Sequence, residues 1–135
     1  MMSHLVLVVD DSLTIRKVIE VALHREGYEV VSFNSAELAL DWFKSSQARV
    51  PDLFLVDLLL PKMDGFHLIR LFRSLPVLSQ VPTVIISRQD GWLDKLKGRL
   101  LGAVAYVVKP FATERLVSVV QTSLKVPKSG VNYEQ

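Results

Sequence analysis

Five short runs rich in Val, Ile and Leu constrain the fold of this chain more than any other feature of its sequence. The runs are HLVLVV (4–9), YEVVSF (28–33), DLFLVD (52–57), PTVIIS (82–87) and AVAYVV (103–108). Four of them lack the alternation of apolar and polar residues that is typical of a strand with one face in water. Because continuous apolar runs of this length are typical of strands covered by helices on both faces, they predict a buried parallel sheet.

A helical pattern of apolar residues follows each run. After Ser12, apolar residues recur at the spacing of one helix face, and the pattern stops before Gly27. Asn34 stands three residues before Glu37, a spacing typical of an N-terminal capping pair. The five patterns cover residues 15–23, 36–43, 68–72, 93–100 and 116–124. The chain is therefore predicted to consist of five successive strand–helix units.

The length and composition of the chain fit one α/β domain. It has 135 residues, of which 50% are hydrophobic and 22% charged, as in a compact protein with its own core. We expect this domain to span residues 1–125, followed by a flexible C-terminal tail at 126–135, where Pro and Gly occur without any apolar pattern. Right-handed crossovers would join the parallel strands, and ligands of such sheets bind at the carboxyl ends of the strands.

Net charge, cysteine content and hydropathy exclude several classes of function. The formal charge of +2 is too small to imply nucleic-acid binding. The absence of cysteine excludes disulfides, thiolate metal sites and cysteine nucleophiles. The apolar runs are far shorter than the roughly 20 residues needed to cross a bilayer, and no signal peptide opens the chain. We therefore expect a cytoplasmic protein with neither nucleic-acid binding nor membrane insertion.

Polar and charged residues stand at the carboxyl ends of four predicted strands. Asp10 and Asp11 follow the first strand, Asp57 ends the third, Ser87 ends the fourth and Lys109 follows the fifth. Three carboxylates at one site would repel one another, and a hard divalent cation such as Mg²⁺ would relieve that repulsion. Lys109 would supply a further positive charge, placed to meet an anion. Asp57 would then be free to act as a nucleophile.

The segment after the third strand is predicted to turn the chain back into a helix. Pro61 and Gly65 would form this turn, and Leu59 within it would offer its main-chain carbonyl as a further metal ligand. A strand buried on both faces would hold Asp57 at its end with little freedom of position. Asp10 has a simpler alternative role as the N-cap of the following helix.

Four motifs at these strand ends, VVDDS, LVDLLLPKMDG, IIS and YVVKPF, resemble the receiver domains of bacterial two-component response regulators. The resemblance covers residues 4 to about 125. It implies a single doubly wound, flavodoxin-like (βα)5 domain whose five-stranded parallel sheet has the order 2-1-3-4-5. Two further segments, DDSLTIRKV and DGWLDKLKGRLLGA, are similar to stand-alone, CheY-like receivers of chemotaxis-like systems that control type IV pili and twitching motility.

The resemblance also implies a role for each residue of the site. Asp57 would be the phosphoacceptor, Asp11 a direct Mg²⁺ ligand, and Asp10 a ligand that acts through water. Ser87 would hydrogen-bond the phosphoryl group, and Lys109 would pair with it.

Three further positions near the site follow from the same resemblance. Tyr106 would be the aromatic side chain that swings inward when Ser87 is drawn to the phosphoryl group, although fixed packing with its hydroxyl at the surface is an alternative. The Lys109–Pro110 peptide bond is expected to be cis. Arg88 departs from the family, which usually has a small residue directly after the Ser or Thr, and its guanidinium group could shield an acyl phosphate from water or clamp it.

The resemblance implies a phosphorylation-dependent signalling switch and not an enzyme. A histidine kinase would transfer the phosphoryl group of a phosphohistidine to Asp57, with Mg²⁺ as cofactor. The signal would leave through protein–protein contacts of a face formed by the fourth helix, fifth strand and fifth helix, with a motility apparatus as the expected target.

Three other functions compete with this interpretation. An unphosphorylated scaffold with the shape of a receiver is one, and Arg88 favours it. An aspartate-nucleophile phosphohydrolase would usually have a second acid two residues after the nucleophile, where this chain has Leu59. A dinucleotide-binding fold is disfavoured because no glycine-rich turn follows the first strand.

Overall fold

The structure is a computed structural model that describes residues 3–125, and in it strands and helices alternate along the chain. The strands are β1 (Leu5–Val9), β2 (Glu29–Phe33), β3 (Leu53–Asp57), β4 (Thr83–Ser87) and β5 (Ala105–Val108). The helices are α1 (Leu13–Arg25), α2 (Ala36–Trp42), α3 (Gly65–Ser74), α4 (Trp92–Leu100) and α5 (Thr113–Leu124). The tail predicted for 126–135 lies outside the described residues and stays a prediction. None of the described helices is both long and apolar enough to span a membrane.

All five strands form one parallel sheet in the order β2-β1-β3-β4-β5. This order confirms the doubly wound, flavodoxin-like fold expected from the sequence. The register aligns the strand ends, because Asp57 pairs with Ile86 and Ser87 pairs with Val108. The carboxyl ends of β1, β3, β4 and β5 therefore lie together at one side of the sheet, which we call the carboxyl edge.

Alternate residues of each strand contribute to two apolar layers, one on each face of the sheet. The α1/α5 layer contains Val6, Val8, Leu53, Leu55, Val84, Ile86 and Val107 together with Ile19, Leu23, Leu116 and Val120 of the two helices. The α2/α3 layer contains Leu7, Val9, Phe54, Val56 and Ile85 together with Ala36, Ala39, Phe66, Leu68, Ile69 and Phe72. Every residue of β1, β3 and β4 is buried, as the continuous apolar runs predicted.

Helix α2 begins at Ala36, where its apolar pattern also begins, but its N-cap is not the predicted residue. Its N-cap is Ser35, whose hydroxyl oxygen accepts a hydrogen bond of 3.2 Å from the main-chain N–H of Leu38. The capping pair predicted from Asn34 and Glu37 is therefore wrong. A serine in extended conformation directly after Asn34 satisfies the free N–H groups of the first turn in its place.

Helix α4 differs from the other helices in the direction of its apolar side. Its only buried residue is Gly98, where an added Cβ would lie only 2.6 Å from Cδ1 of Ile85, so glycine lets the helix lie close to β4. Its large apolar side chains are instead exposed: Trp92, Leu93, Leu96 and Leu100. The pattern at 93–100 predicted the helix correctly, but its apolar residues do not face the core.

Candidate functional site

Three carboxylates from two neighbouring strands come together at the carboxyl edge. One oxygen from each of Asp10, Asp11 and Asp57 lies within 4.8 Å of the others. Asp10 and Asp57 are buried, whereas Asp11 is exposed. Because Val9 pairs with Val56, the register of β1 and β3 delivers Asp10 and Asp57 to adjacent positions. The crowding of acidic groups expected from the sequence is therefore present in the fold.

Lys109 bridges the two buried carboxylates. Its Nζ donates a hydrogen bond of 2.6 Å to Oδ2 of Asp10 and one of 2.9 Å to Oδ2 of Asp57. The lysine side chain is only 8% exposed, so all three charges are largely removed from water. Charges in such an environment are tolerated when they are paired and hydrogen-bonded. Before any anion binds, Lys109 thus already serves as the internal partner of two acids.

Burial and the hydrogen bonds of Lys109 shift the pKa values of the cluster in opposite directions. Burial raises the pKa of Asp57 above 3.8, and the charge of Asp10 adds to the rise, while hydrogen bonds from Lys109 and Leu59 act in the opposite direction. Burial by itself would lower the pKa of Lys109, but hydrogen bonds to Asp10 and Asp57 outweigh it, so that this pKa lies above 10.5. One lysine does not fully compensate the acidic groups around Asp57.

The donor set of the cluster fits a hard divalent cation. Asp11 makes no hydrogen bond or ion pair within residues 3–125, so its oxygens are available as direct ligands. Both oxygens of Asp10 are already engaged, one by Lys109 and the other by the N–H of Ser12 at 2.8 Å, which fits contact with a metal through water. The main-chain carbonyl of Leu59 as a further ligand stays a prediction.

Asp10 is held from two sides and does not cap helix α1. Ser12 is the N-cap, because its side chain accepts from the N–H of Ile15 at 3.2 Å. The main-chain oxygen of Asp10 accepts a hydrogen bond of 2.7 Å from Nη1 of Arg16. Arg16 was missed in the sequence analysis. Its place in the first turns of α1, five to six residues after Asp10 and Asp11, is the feature that could have indicated this contact.

The turn after β3 packs its main chain closely against the main chain of Asp57 and Leu58. The N–H of Gly65 donates to the carbonyl of Leu58 at 2.9 Å. An added Cβ at Gly65 would overlap the carbonyl oxygen of Asp57 and lie 2.7 Å from Cα of Leu58. Pro61 is exposed, and its carbonyl accepts from the N–H of Met63 at 2.8 Å within the turn. Gly65 is thus required by close packing of main chain on main chain.

The loop after β4 connects Ser87 with Tyr106. Ser87 is buried, and its Oγ accepts a hydrogen bond of 3.1 Å from the N–H of Gln89. The hydroxyl of Tyr106 donates to the carbonyl of the same Gln89 at 2.7 Å. Burial raises the pKa of this tyrosine, while the neighbouring Ser87 hydroxyl acts in the opposite direction. Gln89, which sequence reasoning missed, therefore joins the two residues through its main chain.

Arg88 and Pro110 lie on the solvent side of the carboxyl edge. Arg88 directly follows Ser87 and is exposed. Pro110 is also exposed, and the Lys109–Pro110 peptide bond is cis.

Comparison with known proteins places this geometry in a family. A family model for the response regulator receiver domain matches residues 6–121. The chain is 32% identical over 120 residues to Protein PilG of Pseudomonas aeruginosa, which covers 86% of this chain and 84% of PilG. It is 34% identical over 128 residues to the "Probable transcriptional regulator ycf27" of Porphyridium aerugineum, covering 94% of this chain but spanning only 51% of that relative.

A solved structure shows the same fold. The chemotaxis response regulator CheY4 of Vibrio cholerae superposes with a TM-score of 0.81 at 30% identity, over 90% of this chain and 99% of that one. The stretch matched by the family model contains the three carboxylates, Ser87 and Lys109. The chain belongs to the response regulator receiver domains.

Proposed function

We propose that the chain is a phosphorylation-dependent switch of a two-component phosphorelay, in which Asp57 accepts a phosphoryl group from a histidine kinase. The observation that carries the proposal is the buried Asp57 carboxylate, bonded to Lys109 and placed within 4.8 Å of Asp10 and Asp11. Membership of the receiver family supports it.

Two hydrogen bonds orient the proposed nucleophile. Oδ1 of Asp57 accepts from the N–H of Leu59 at 3.0 Å, and Oδ2 accepts from Lys109. A carboxylate oxygen of Asp57 would attack the phosphorus of a phosphohistidine in line with the P–N bond. The P–O bond forms as the P–N bond breaks, and the released imidazole takes a proton from solvent. The product is an acyl phosphate on Asp57.

The acidic residues would hold the cofactor of this reaction. Asp11, Asp57 and the carbonyl of Leu59 would bind Mg²⁺ directly, and Asp10 would bind it through water. When bound, Mg²⁺ neutralises negative charge on the carboxylates and on the phosphoryl oxygens. Lys109, which already lies 2.9 Å from Asp57, would remain beside the phosphoryl group and pair with it.

The loop after β4 would transmit the effect of phosphorylation from Asp57 to the surface of the domain. The hydroxyl of Ser87 would donate to a phosphoryl oxygen, and the loop containing Gln89 would move with it. Because Tyr106 donates to the carbonyl of Gln89, this movement would change the position of the tyrosine ring on β5. Phosphorylation would in this way shift a pre-existing equilibrium between two arrangements of α4, β5 and α5.

The face formed by α4, β5 and α5 is the proposed binding surface for the downstream protein. The exposed apolar side chains of α4 support this choice, since clustered apolar groups at a surface mark sites of protein contact. We propose a motility apparatus as the target. The resemblance of the first and fourth helices to receivers of type IV pilus systems supports it, as does the similarity to a chemotaxis response regulator.

Radiolabelled acetyl phosphate tests the switch directly. The wild-type protein should become labelled with Mg²⁺ present, and Asp57→Asn should remain unlabelled. Asp41→Asn is the matched control, because it removes an exposed carboxylate on α2, away from the carboxyl edge, and should label normally. Equal labelling of the wild type and Asp57→Asn would end the proposal.

An unphosphorylated scaffold is the second candidate, and the exposed Arg88 beside the site favours it. A scaffold would take up no label from acetyl phosphate or from a kinase, and Mg²⁺ would leave its tryptophan fluorescence unchanged.

A further inference from the structure

The charges at the carboxyl edge do not balance once Asp57 carries a phosphoryl group. Three carboxylates face one ammonium group, which leaves two negative charges in excess. A phosphoryl group would change the charge at Asp57 from −1 to about −2, so three would then be in excess. One divalent cation offsets two of these. One negative charge then stays in excess, and a further positive group beside the site would offset it.

Arg88 directly follows β4, beside the strand end where this charge develops. Asp57 pairs with Ile86 in register, and Ile86 belongs to the α1/α5 layer. Arg88 stands two residues after Ile86 and one residue beyond the end of β4, so its main chain lies near the end of β3 that carries Asp57. The N–H of Lys109 donates to the carbonyl of Ser87 at 2.8 Å, which keeps the end of β4 attached to the chain beyond β5.

The distance along the chain suits contact between Arg88 and a group on Asp57. Arg88 is two residues from Ile86, the pairing partner of Asp57, and two residues of extended chain span about 6.6 Å, which an arginine side chain can cover. Arg88 is exposed and makes no hydrogen bond or ion pair with any residue in the range 3–125. Nothing in that range therefore competes for its guanidinium group.

We propose that Arg88 is a second cationic phosphoryl-binding residue, which pairs with the phosphoryl group on Asp57 from the solvent side while Lys109 pairs with it from the buried side. This inference rests on the proposed phosphorylation of Asp57. A guanidinium group presents parallel N–H donors that match two phosphoryl oxygens, whereas an ammonium group acts as a point charge. The two cations would therefore make different contacts with the same anion.

Beryllofluoride, an unreactive analogue of the phosphoryl group, tests the contact without any kinase. Its affinity in saturating Mg²⁺ would be measured by calorimetry for the wild type, Arg88→Ala, Arg88→Gln and Arg88→Lys. We expect the alanine and glutamine variants to bind about tenfold more weakly, equivalent to about 1.4 kcal/mol, and the lysine variant to lie between them and the wild type. Arg70→Ala, which removes an exposed arginine from the middle of α3, should bind normally.

Further measurements separate this contact from other effects. The affinity for Mg²⁺ alone should not weaken in Arg88→Ala, because Arg88 is not a metal ligand. Wild-type affinity in Arg88→Gln would overturn the inference, since it would show that bulk and not charge matters. Equal weakening in Arg70→Ala would overturn it as well, in favour of a general charge effect. If acetyl phosphate labels the wild type and Asp57→Asn equally, the proposed function itself fails, and the inference falls with it.

Discussion

Replacing Gly65 by alanine should damage both the stability of the fold and the position of Asp57. The new Cβ would overlap the carbonyl oxygen of Asp57 and lie 2.7 Å from Cα of Leu58. Both obstacles are main-chain atoms at the end of a fully buried strand, so neither can rotate out of the way. The chain at 57–58 and the start of α3 would have to move apart.

The cost follows from two terms. Forcing extra volume into a packed interior costs about 1–3 kcal/mol, and a rigid main-chain obstacle places this case near the upper end. The separation also weakens the 2.9 Å hydrogen bond from Gly65 to the carbonyl of Leu58, worth about 1 kcal/mol. Alanine has less conformational freedom than glycine in the unfolded chain, and this difference offsets about 0.5 kcal/mol of the loss. We expect a net loss of about 3 kcal/mol and a melting temperature lower by about 10 °C.

Urea unfolding followed by circular dichroism would measure the loss against two matched glycine controls. At Gly98 the obstacle is the flexible end of Ile85, 2.6 Å from the new Cβ, so Gly98→Ala should cost less. At Gly91 the nearest atom is Oδ2 of Asp94 at 3.5 Å, an ordinary contact, so Gly91→Ala should stay within about 1 kcal/mol of the wild type. Mg²⁺ affinity should fall in Gly65→Ala alone.

The order of the three variants decides the outcome. If Gly65→Ala unfolds within about 1 kcal/mol of the wild type, or costs less than Gly98→Ala, then main-chain contact does not hold Asp57 in place and the argument is refuted.

Three further predictions concern the charged cluster and the loop after β4. In metal-free protein, the stability of the wild type relative to Asp57→Asn should fall as the pH rises from 3.8 through the raised pKa of Asp57. The reason is that the folded chain binds the proton of Asp57 more tightly than the unfolded chain does. Urea unfolding of both proteins between pH 4 and pH 7 would measure this fall, and a constant difference in stability would contradict it. Lys109→Met leaves Asp10 and Asp57 buried without their shared partner, so thermal unfolding should show a loss of about 3 kcal/mol that added Mg²⁺ partly restores. Tyr106→Phe removes the hydrogen bond to the carbonyl of Gln89 and should lower the free energy of unfolding by no more than about 1 kcal/mol, because this bond is accessible to solvent; a larger loss in urea unfolding would mean that the tyrosine is part of the rigid core.

The sheet and its charged edge could be predicted because both depend on local patterns. Continuous apolar runs report burial on both faces, and a polar residue that ends such a run must emerge where parallel strands end. Asp10, Asp57 and Lys109 follow from this reasoning, and their meeting in space required only the strand order, which the family resemblance supplied. The structure adds that Lys109 bonds both acids at once, a geometry on which sequence spacing carries no information.

Other features could not be predicted because they depend on tertiary contacts. The periodicity at 93–100 indicates one apolar side of a helix but not the direction in which that side faces. Packing of Gly98 against Ile85 decides this direction and turns the leucines of α4 outward. At α2, Asn34 and Ser35 are both good N-caps, and only the conformation of the chain leaving β2 selects Ser35.

Because Gly98 is the only buried residue of α4, we expect this helix to detach from the sheet at low cost. Local opening of a helix costs the apolar surface that it uncovers, and α4 buries only Gly98 of its own residues, so the surface uncovered lies on its neighbours Ile85, Ala103 and Tyr106. We expect the amides of α4 to exchange hydrogen through such openings, while those of the fully buried β1, β3 and β4 exchange only on global unfolding. A change of about 1.4 kcal/mol would alter the detached population of α4 tenfold.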